Sequence, residues 1–127
     1  MKTDTLRPLV DTLKALAHPV RLRILALLQG GELCVCEVAE VLGLAPSTVS
    51  EHLTALRRTG LVRERKVGRW VHVALADAAE ARPMVEALWP LMAAAEAELA
   101  RDRTQALALR CEACDPSHCP EPVSTTD

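Results

Sequence analysis

Phenylalanine and tyrosine are absent from this 127-residue chain, and tryptophan occurs only twice. A surface built to stack single-stranded nucleic acid or RNA bases is therefore not expected. No apolar run approaches the roughly 18 residues that a membrane-spanning helix needs. Met1 to Asp11 is polar and of mixed charge, so no secretory signal is expected and the expected location is the cytoplasm. The net charge is small and slightly acidic, −2, which taken alone speaks against a nucleic-acid partner. Five cysteines, an odd number without an export signal, do not suit a disulfide framework. They point to metal binding or thiol chemistry. No Ser/His/Asp set, phosphate loop or paired acid/base constellation occurs, so the chain does not read as an enzyme.

What is present is a core of Leu, Val and Ala. With half the residues hydrophobic and a quarter charged, the chain suits one small globular domain. Leu6, Leu9, Val10, Leu13, Leu16 and Ala17 recur at helical spacing and predict a first helix ending near His18-Pro19. Pro19 suits the first turn of a second helix, where its missing N–H costs nothing. Val20, Leu22, Ile24, Leu25, Leu27 and Leu28 make that helix apolar almost all round, hence central, until Gly30-Gly31. Val35, Val38, Ala39 and Leu42 predict a third helix stopped by Gly43. Pro46 opens a fourth, with Val49, Leu53 and Leu56 inward and Gly60 as its end. Two short helices joined by a tight glycine-containing turn read as helix-turn-helix.

The period then changes. Leu61 to Lys66 and Trp70 to Leu75 predict two strands, with Val67-Gly68-Arg69 as a hairpin tip. Asp77 is expected to cap one long last helix carrying Val85, Leu88, Trp89, Met92, Ala95 and Leu99, kinked by Pro90. The expected organisation is a mainly α, winged helix-turn-helix domain over residues 1–110, with an irregular cysteine-containing tail over 111–127.

Whole-chain charge hides a local concentration. Between Arg57 and Arg69, six basic residues face Glu64 alone, a local +5 that leaves −7 for the remainder. This segment spans the end of the fourth helix and the hairpin, the two elements that would meet a duplex. At 100° per residue, Ser47, Glu51, Thr54 and Arg58 fall opposite the inward face, flanked by Thr48, Ser50 and Arg57. Short polar side chains there can approach base edges and phosphates. Lys66 and Arg69 at the hairpin tip are expected phosphate or minor-groove contacts. A plain solvated face is the competing reading for any one of these residues.

The run Leu16-Ala17-His18-Pro19-Val20-Arg21-Leu22-Arg23-Ile24-Leu25, then Glu32-Leu33-Cys34-Val35-Cys36-Glu37-Val38-Ala39, resembles the ArsR/SmtB family of metal-responsive repressors. Pro46-Ser47-Thr48-Val49-Ser50-Glu51-His52-Leu53 and Gly60-Leu61-Val62 extend the resemblance, which covers roughly residues 8–76. It implies a homodimer, joined through its first and last helices, that holds operator DNA until an inducer binds.

Cys34 and Cys36 are the sharpest chemical feature. Residues two apart on a regular helix point to opposite sides, so this pair can chelate only from a non-helical start. A helix N-terminus also presents partial positive charge to a thiolate. Glu-Leu-Cys-Val-Cys resembles the arsenic/antimony and the cadmium/lead sensors of the family. In the arsenic type a third Cys follows three residues on, where this chain has Ala39. Cys111, Cys114 and Cys119 offer replacements in two arrangements: one joins Cys34 and Cys36, or the three form a separate site. Three thiolates suit As(III) or Sb(III), and also Cd(II) or Pb(II). Cys111, Cys114, His118 and Cys119 could instead give zinc a Cys₃His set. The family's zinc site on the last helix finds no His between Asp77 and Arg110, and His18, His52 and His72 are scattered along the chain. Rival readings are a thiol-redox repressor using Cys111-x-x-Cys114, a small metal-binding enzyme or scavenger, and a structural winged-helix interaction protein.

Overall fold

The computed structural model describes residues 6–76 and 81–112, with side chains described as far as residue 109. Six helices and a three-stranded sheet follow one another along the described chain. Helix α1 spans Arg7–Leu16 and α2 spans Pro19–Leu28, with β1 next at Leu33–Cys34. Helices α3 and α4 span Val35–Leu42 and Pro46–Arg58, before strands β2, Val62–Val67, and β3, Trp70–Leu75. Helix α5 spans Arg82–Leu91, a 3-10 turn Ala93–Ala95, and α6 Glu96–Glu112.

Local chemistry explains most boundaries. His18 is the residue ahead of α2, in extended conformation, and its Nδ1 accepts the Val20 amide at 3.1 Å. That bond satisfies one of the amides a helix start leaves over. Gly43 closes α3 at φ 69°, a left-handed conformation that costs a residue with a Cβ more. Val67 pairs with Trp70, so the hairpin loop is two residues, with Gly68 at φ 62° in its first position. A two-residue loop between twisted strands requires that sign. Val67 therefore belongs to the strand rather than to the tip, and the first wing strand is shifted one residue from the expected Leu61–Lys66.

The core lies where α2 crosses α3, α4 and the sheet. Ile24 and Leu25 from α2, Val38 from α3, Val49, Leu53 and Leu56 from α4, and Val73 from β3 are completely buried. Each such side chain contributes about 1.5–3 kcal/mol relative to exposure. The inward face expected for α4 is the one observed.

The expected hairpin is present as β2 and β3, one expectation is extended and one is corrected. The wing is three-stranded, because β1 adds to β3 through Leu33↔Val73 and Cys34↔His72, giving the antiparallel order β1-β3-β2. A two-residue strand has no period of its own and exists only through this distant pairing. The single long last helix is in fact two. Pro90 has no N–H for the Glu86 carbonyl, and Met92 donates to both Leu88 and Trp89, 2.9 and 3.1 Å. The tightened turn becomes 3-10 over three alanines before α6 resumes. Asp77, expected as the cap, lies outside the described residues.

Helix α6 is anchored on α2 by Arg23, whose Nε and Nη2 donate to both Asp102 oxygens at 3.0 and 2.9 Å. It also packs on α3, with Ala106 buried and Leu109 against the core. Among the described residues no helix is long and apolar enough to cross a membrane.

Candidate functional site

Cys34 is the last residue of β1 and the residue ahead of α3, at φ −77° and ψ 147°, so it stands outside the helix. Cys36 lies in the first helical turn. This change of backbone between them lets the side chains converge: the Cys36 thiol donates to the Cys34 sulfur, Sγ to Sγ 3.0 Å. Cys34 is buried and Cys36 exposed, so the pair has one inner and one outer sulfur.

Glu37 secures this start. Its Oε1 accepts the Cys34 amide at 2.8 Å, while the Cys34 sulfur faces the Glu37 amide, a capping-box arrangement with sulfur in place of a hydroxyl. Sequence reasoning missed Glu37, although Cys-x-x-Glu copies the spacing of Ser-x-x-Glu. Ala39, three residues beyond Cys36, is buried in the core. Among the described residues no three His, Cys, Asp or Glu side chains gather closely enough to hold a metal ion. Two adjacent thiols fit a thiophilic ion as a partial donor set, and a third donor has to come from elsewhere. Cys111 falls on α6, whose backbone alone is described there, and Cys114, His118 and Cys119 lie outside the described residues.

The pair connects to both elements of the basic surface. Helix α3 packs on α4, and Cys34 faces His72 of β3 across the sheet. His72 is buried with no partner for its Nε2 among the described residues.

On α4, Ser47, Ser50, Glu51, Arg57 and Arg58 are exposed and Thr48 and Thr54 half-buried. Thr54 Oγ1 donates to the Ser50 carbonyl at 2.9 Å. Arg57 Nη1 donates to Glu64 Oε1 at 2.7 Å, joining α4 to β2. Arg65 grips Glu32 with two bonds, 3.2 and 2.8 Å. That bond and the charge of Arg65 hold the Glu32 carboxyl below its usual range against the opposing effect of burial. The basic segment is thus partly neutralised within the fold. Lys66 and Arg69 stay exposed at the hairpin end, and Arg58 faces a groove of about 810 Å³ between α1 and α4.

The histidines are less scattered than the sequence suggests. His18 and His52 rings lie 4.5 Å apart, and Arg21 Nε donates to His52 Nδ1 at 3.2 Å. Burial, then the neighbouring His18 and Arg21 charges, push the His52 imidazole below its ordinary range. Thirty-one residues separate Arg21 from His52, so no local signal could have found this contact.

Leu6 ahead of α1 is exposed, as are Leu9, Val10 and Leu13 on α1 and Leu107 on α6.

Residues 18–64 match the family described as "Bacterial regulatory protein, arsR family". The chain is 42% identical over 77 residues to a transcriptional repressor SmtB homolog of Synechocystis, covering 61% of this chain and 58% of that protein. It is 43% identical over 67 residues to the arsenical resistance operon repressor of Escherichia coli, covering 52% and 57%. The matched part spans little more than half the length of these relatives. Among solved structures, a homodimeric winged helix-turn-helix DNA-binding domain from Mycobacterium bovis superposes with a TM-score of 0.62. Its identity is 34%, over 76% of this chain and 88% of that one.

Proposed function

The chain belongs to the bacterial arsR family of transcriptional regulators, which are not enzymes, and on that premise we propose that it is a homodimeric, operator-binding repressor released by a thiophilic metalloid at Cys34 and Cys36. Trivalent arsenic is the foremost inducer in this reading, with antimony beside it. The observation that carries it is the 3.0 Å approach of the two sulfurs at the head of the helix directly before the fourth.

In the proposed repressor, α4 enters the major groove with Ser47, Thr48, Ser50, Glu51, Thr54, Arg57 and Arg58 towards the DNA. Lys66 and Arg69 of the wing meet the backbone or minor groove. The exposed apolar faces of α1 and α6 form the subunit contact, within a domain of residues 1–110. A bound ion supplies a soft Lewis acid that holds thiolates together. The chain's own part is mechanical. Bringing a third donor to Cys34 and Cys36 draws on the start of α3 and on β1. Helix α3 carries α4 and β1 carries the wing, so both reading elements shift from the spacing a duplex requires. Cys111 is the foremost third donor, because α6 packs on α3 and Leu109 holds its last turns against the core. Cys114 and Cys119 in the tail over 111–127 are the alternatives. An inducer shifts the equilibrium by its differential affinity for the two forms, typically about 1–3 kcal/mol.

The test measures operator affinity with and without arsenite in the wild type and in Cys34→Ser/Cys36→Ser. Release in the wild type alone supports the reading, and equal release in both overturns the role of this pair. Parallel titrations with antimonite, cadmium, lead and zinc identify the inducer. Cadmium or lead would be favoured over arsenic if a Cys111→Ser/Cys114→Ser/Cys119→Ser variant keeps its response to them.

A further inference from the structure

We propose that Cys34 and Cys36 are also a peroxide-oxidised dithiol that closes to a disulfide within one subunit. Three observations carry this. The sulfurs already lie 3.0 Å apart, so bond formation needs an approach of only about 1 Å. Their exposures differ as the chemistry requires: Cys36 is open to a small oxidant, whereas Cys34 is 1% exposed and reached only by its neighbour. The extended backbone at Cys34 removes the helical geometry that would hold side chains two apart on opposite sides.

The oxidant is a hydroperoxide. Cys36 gives its proton to solvent, its thiolate sulfur attacks one peroxide oxygen, the O–O bond breaks, and Cys36 becomes a sulfenic acid while hydroxide leaves and takes up a proton as water. Cys34, giving up its proton, attacks the Cys36 sulfur, the S–OH bond breaks, and water leaves with the disulfide formed. Two thiols lose two electrons and two protons, and hydrogen peroxide becomes two waters. Closure pulls the Cys34 sulfur from the Glu37 amide and moves the residue that pairs with His72 in the wing. Oxidation and ion binding then compete for the same sulfurs, although the disulfide itself does not rest on the metalloid reading.

Trypsin isolates this pair from every other cysteine. Cleavage after Arg23 and Arg57 releases a peptide of residues 24–57 holding Cys34 and Cys36, while Cys111, Cys114 and Cys119 follow Arg110. The full chain, metal-free, is treated with hydrogen peroxide, alkylated and digested. The expected 24–57 peptide is lighter by two hydrogen atoms, carries no alkyl group, and regains both alkylation sites after reduction. A Cys111→Ser/Cys114→Ser/Cys119→Ser chain is expected to behave identically. In Cys34→Ser, Cys36 is expected to be trapped by dimedone as the sulfenic acid; in Cys36→Ser, Cys34 is expected to stay a thiol. Full alkylation of the 24–57 peptide after peroxide overturns the proposal. So does a cross-link from it to the peptide that begins at Cys111.

Discussion

Arg21 and His52 tie the second helix to the fourth: Arg21 Nε donates to His52 Nδ1 at 3.2 Å, beside the His18 ring at 4.5 Å. His18 in turn holds the start of α2 through the Val20 amide. The candidate recognition helix is thereby joined to the most buried helix by a bond that requires an unprotonated ring nitrogen.

Burial of His52 sets a pH dependence, with the His18 and Arg21 charges adding to it. His52 is held below its ordinary value of about 6.5, so the unfolded chain binds the proton more readily than the folded one. The stabilising contribution is complete above about pH 6.5 and is lost as pH falls through the lower folded value. The urea midpoint is expected to drop between about pH 7.5 and about pH 5.5. His52→Gln is expected to flatten that drop; an equally steep fall in the variant would assign it to other groups.

Arg23 and Asp102 predict an asymmetry. The Asp102 side chain is 9% exposed and that of Arg23 30%. Removing the arginine leaves a buried carboxylate without its two donors, whereas removing the carboxylate leaves a guanidinium that water can reach. Arg23→Ala is expected to cost roughly 2 kcal/mol, discounted for the exposure of the pair, and more than Asp102→Ala. Urea unfolding of the two variants decides it, and equal costs would mean that desolvation does not control the pair.

What sequence could show followed from chain-local signals. Pro19 and Pro46 punctuate elements by a fixed φ and a missing donor, Gly43 and Gly68 by reaching positive φ, and α4 shows its apolar positions at helical spacing whereas α2 is apolar almost all round. Strand β1 was hidden because two residues become a strand only when β3 arrives beside them. The break after Leu91 was half visible: Pro90 marked a disturbance, but the 3-10 turn depends on where Met92 finds its carbonyls. At the thiol pair, chemistry was legible and geometry conditional, since converging sulfurs require Cys34 to stand outside the helix. Contacts such as Arg21 with His52 depend wholly on how helices cross.

The basic segment from Arg57 to Arg69 holds two kinds of basic residue. Lys66 and Arg69 are exposed at the hairpin end, whereas Arg57 and Arg65 pair with Glu64 and Glu32. Lys66→Ala and Arg69→Ala are each expected to weaken binding to all duplexes alike and to lower the log–log salt slope by about 1. Fluorescence anisotropy at several salt concentrations checks this. An unchanged slope in both variants would remove the wing from the DNA interface.

The exposed apolar stripe of α1 gives a test of assembly. Leu9 and Leu13 are 45% and 50% exposed although they lie one turn apart on one face. Leu9→Glu/Leu13→Glu is expected to leave the helical content unchanged, to sediment as a monomer and to lose operator binding. A variant that still sediments as a dimer would place the subunit contact elsewhere.

Glu37 joins stability to the geometry of the thiol pair. Its carboxylate accepts the Cys34 amide at 2.8 Å in a buried setting, and that amide has no helical partner because Cys34 precedes the helix. Glu37→Ala strands a buried donor and is expected to cost about 1–3 kcal/mol, while Glu37→Gln keeps an acceptor in place and costs less. The consequence for the thiols is separate from global stability. Without the carboxylate the first turn of α3 loses one of the bonds that position Cys34 beside Cys36, so the Cys34 amide exchanges with solvent sooner in the alanine variant. Hydrogen exchange at that amide, compared with an amide of α2, reads this locally. Equal acceleration at both would mean that Glu37 supports the fold as a whole, and faster exchange at Cys34 alone would mark it as the residue that positions the thiol pair.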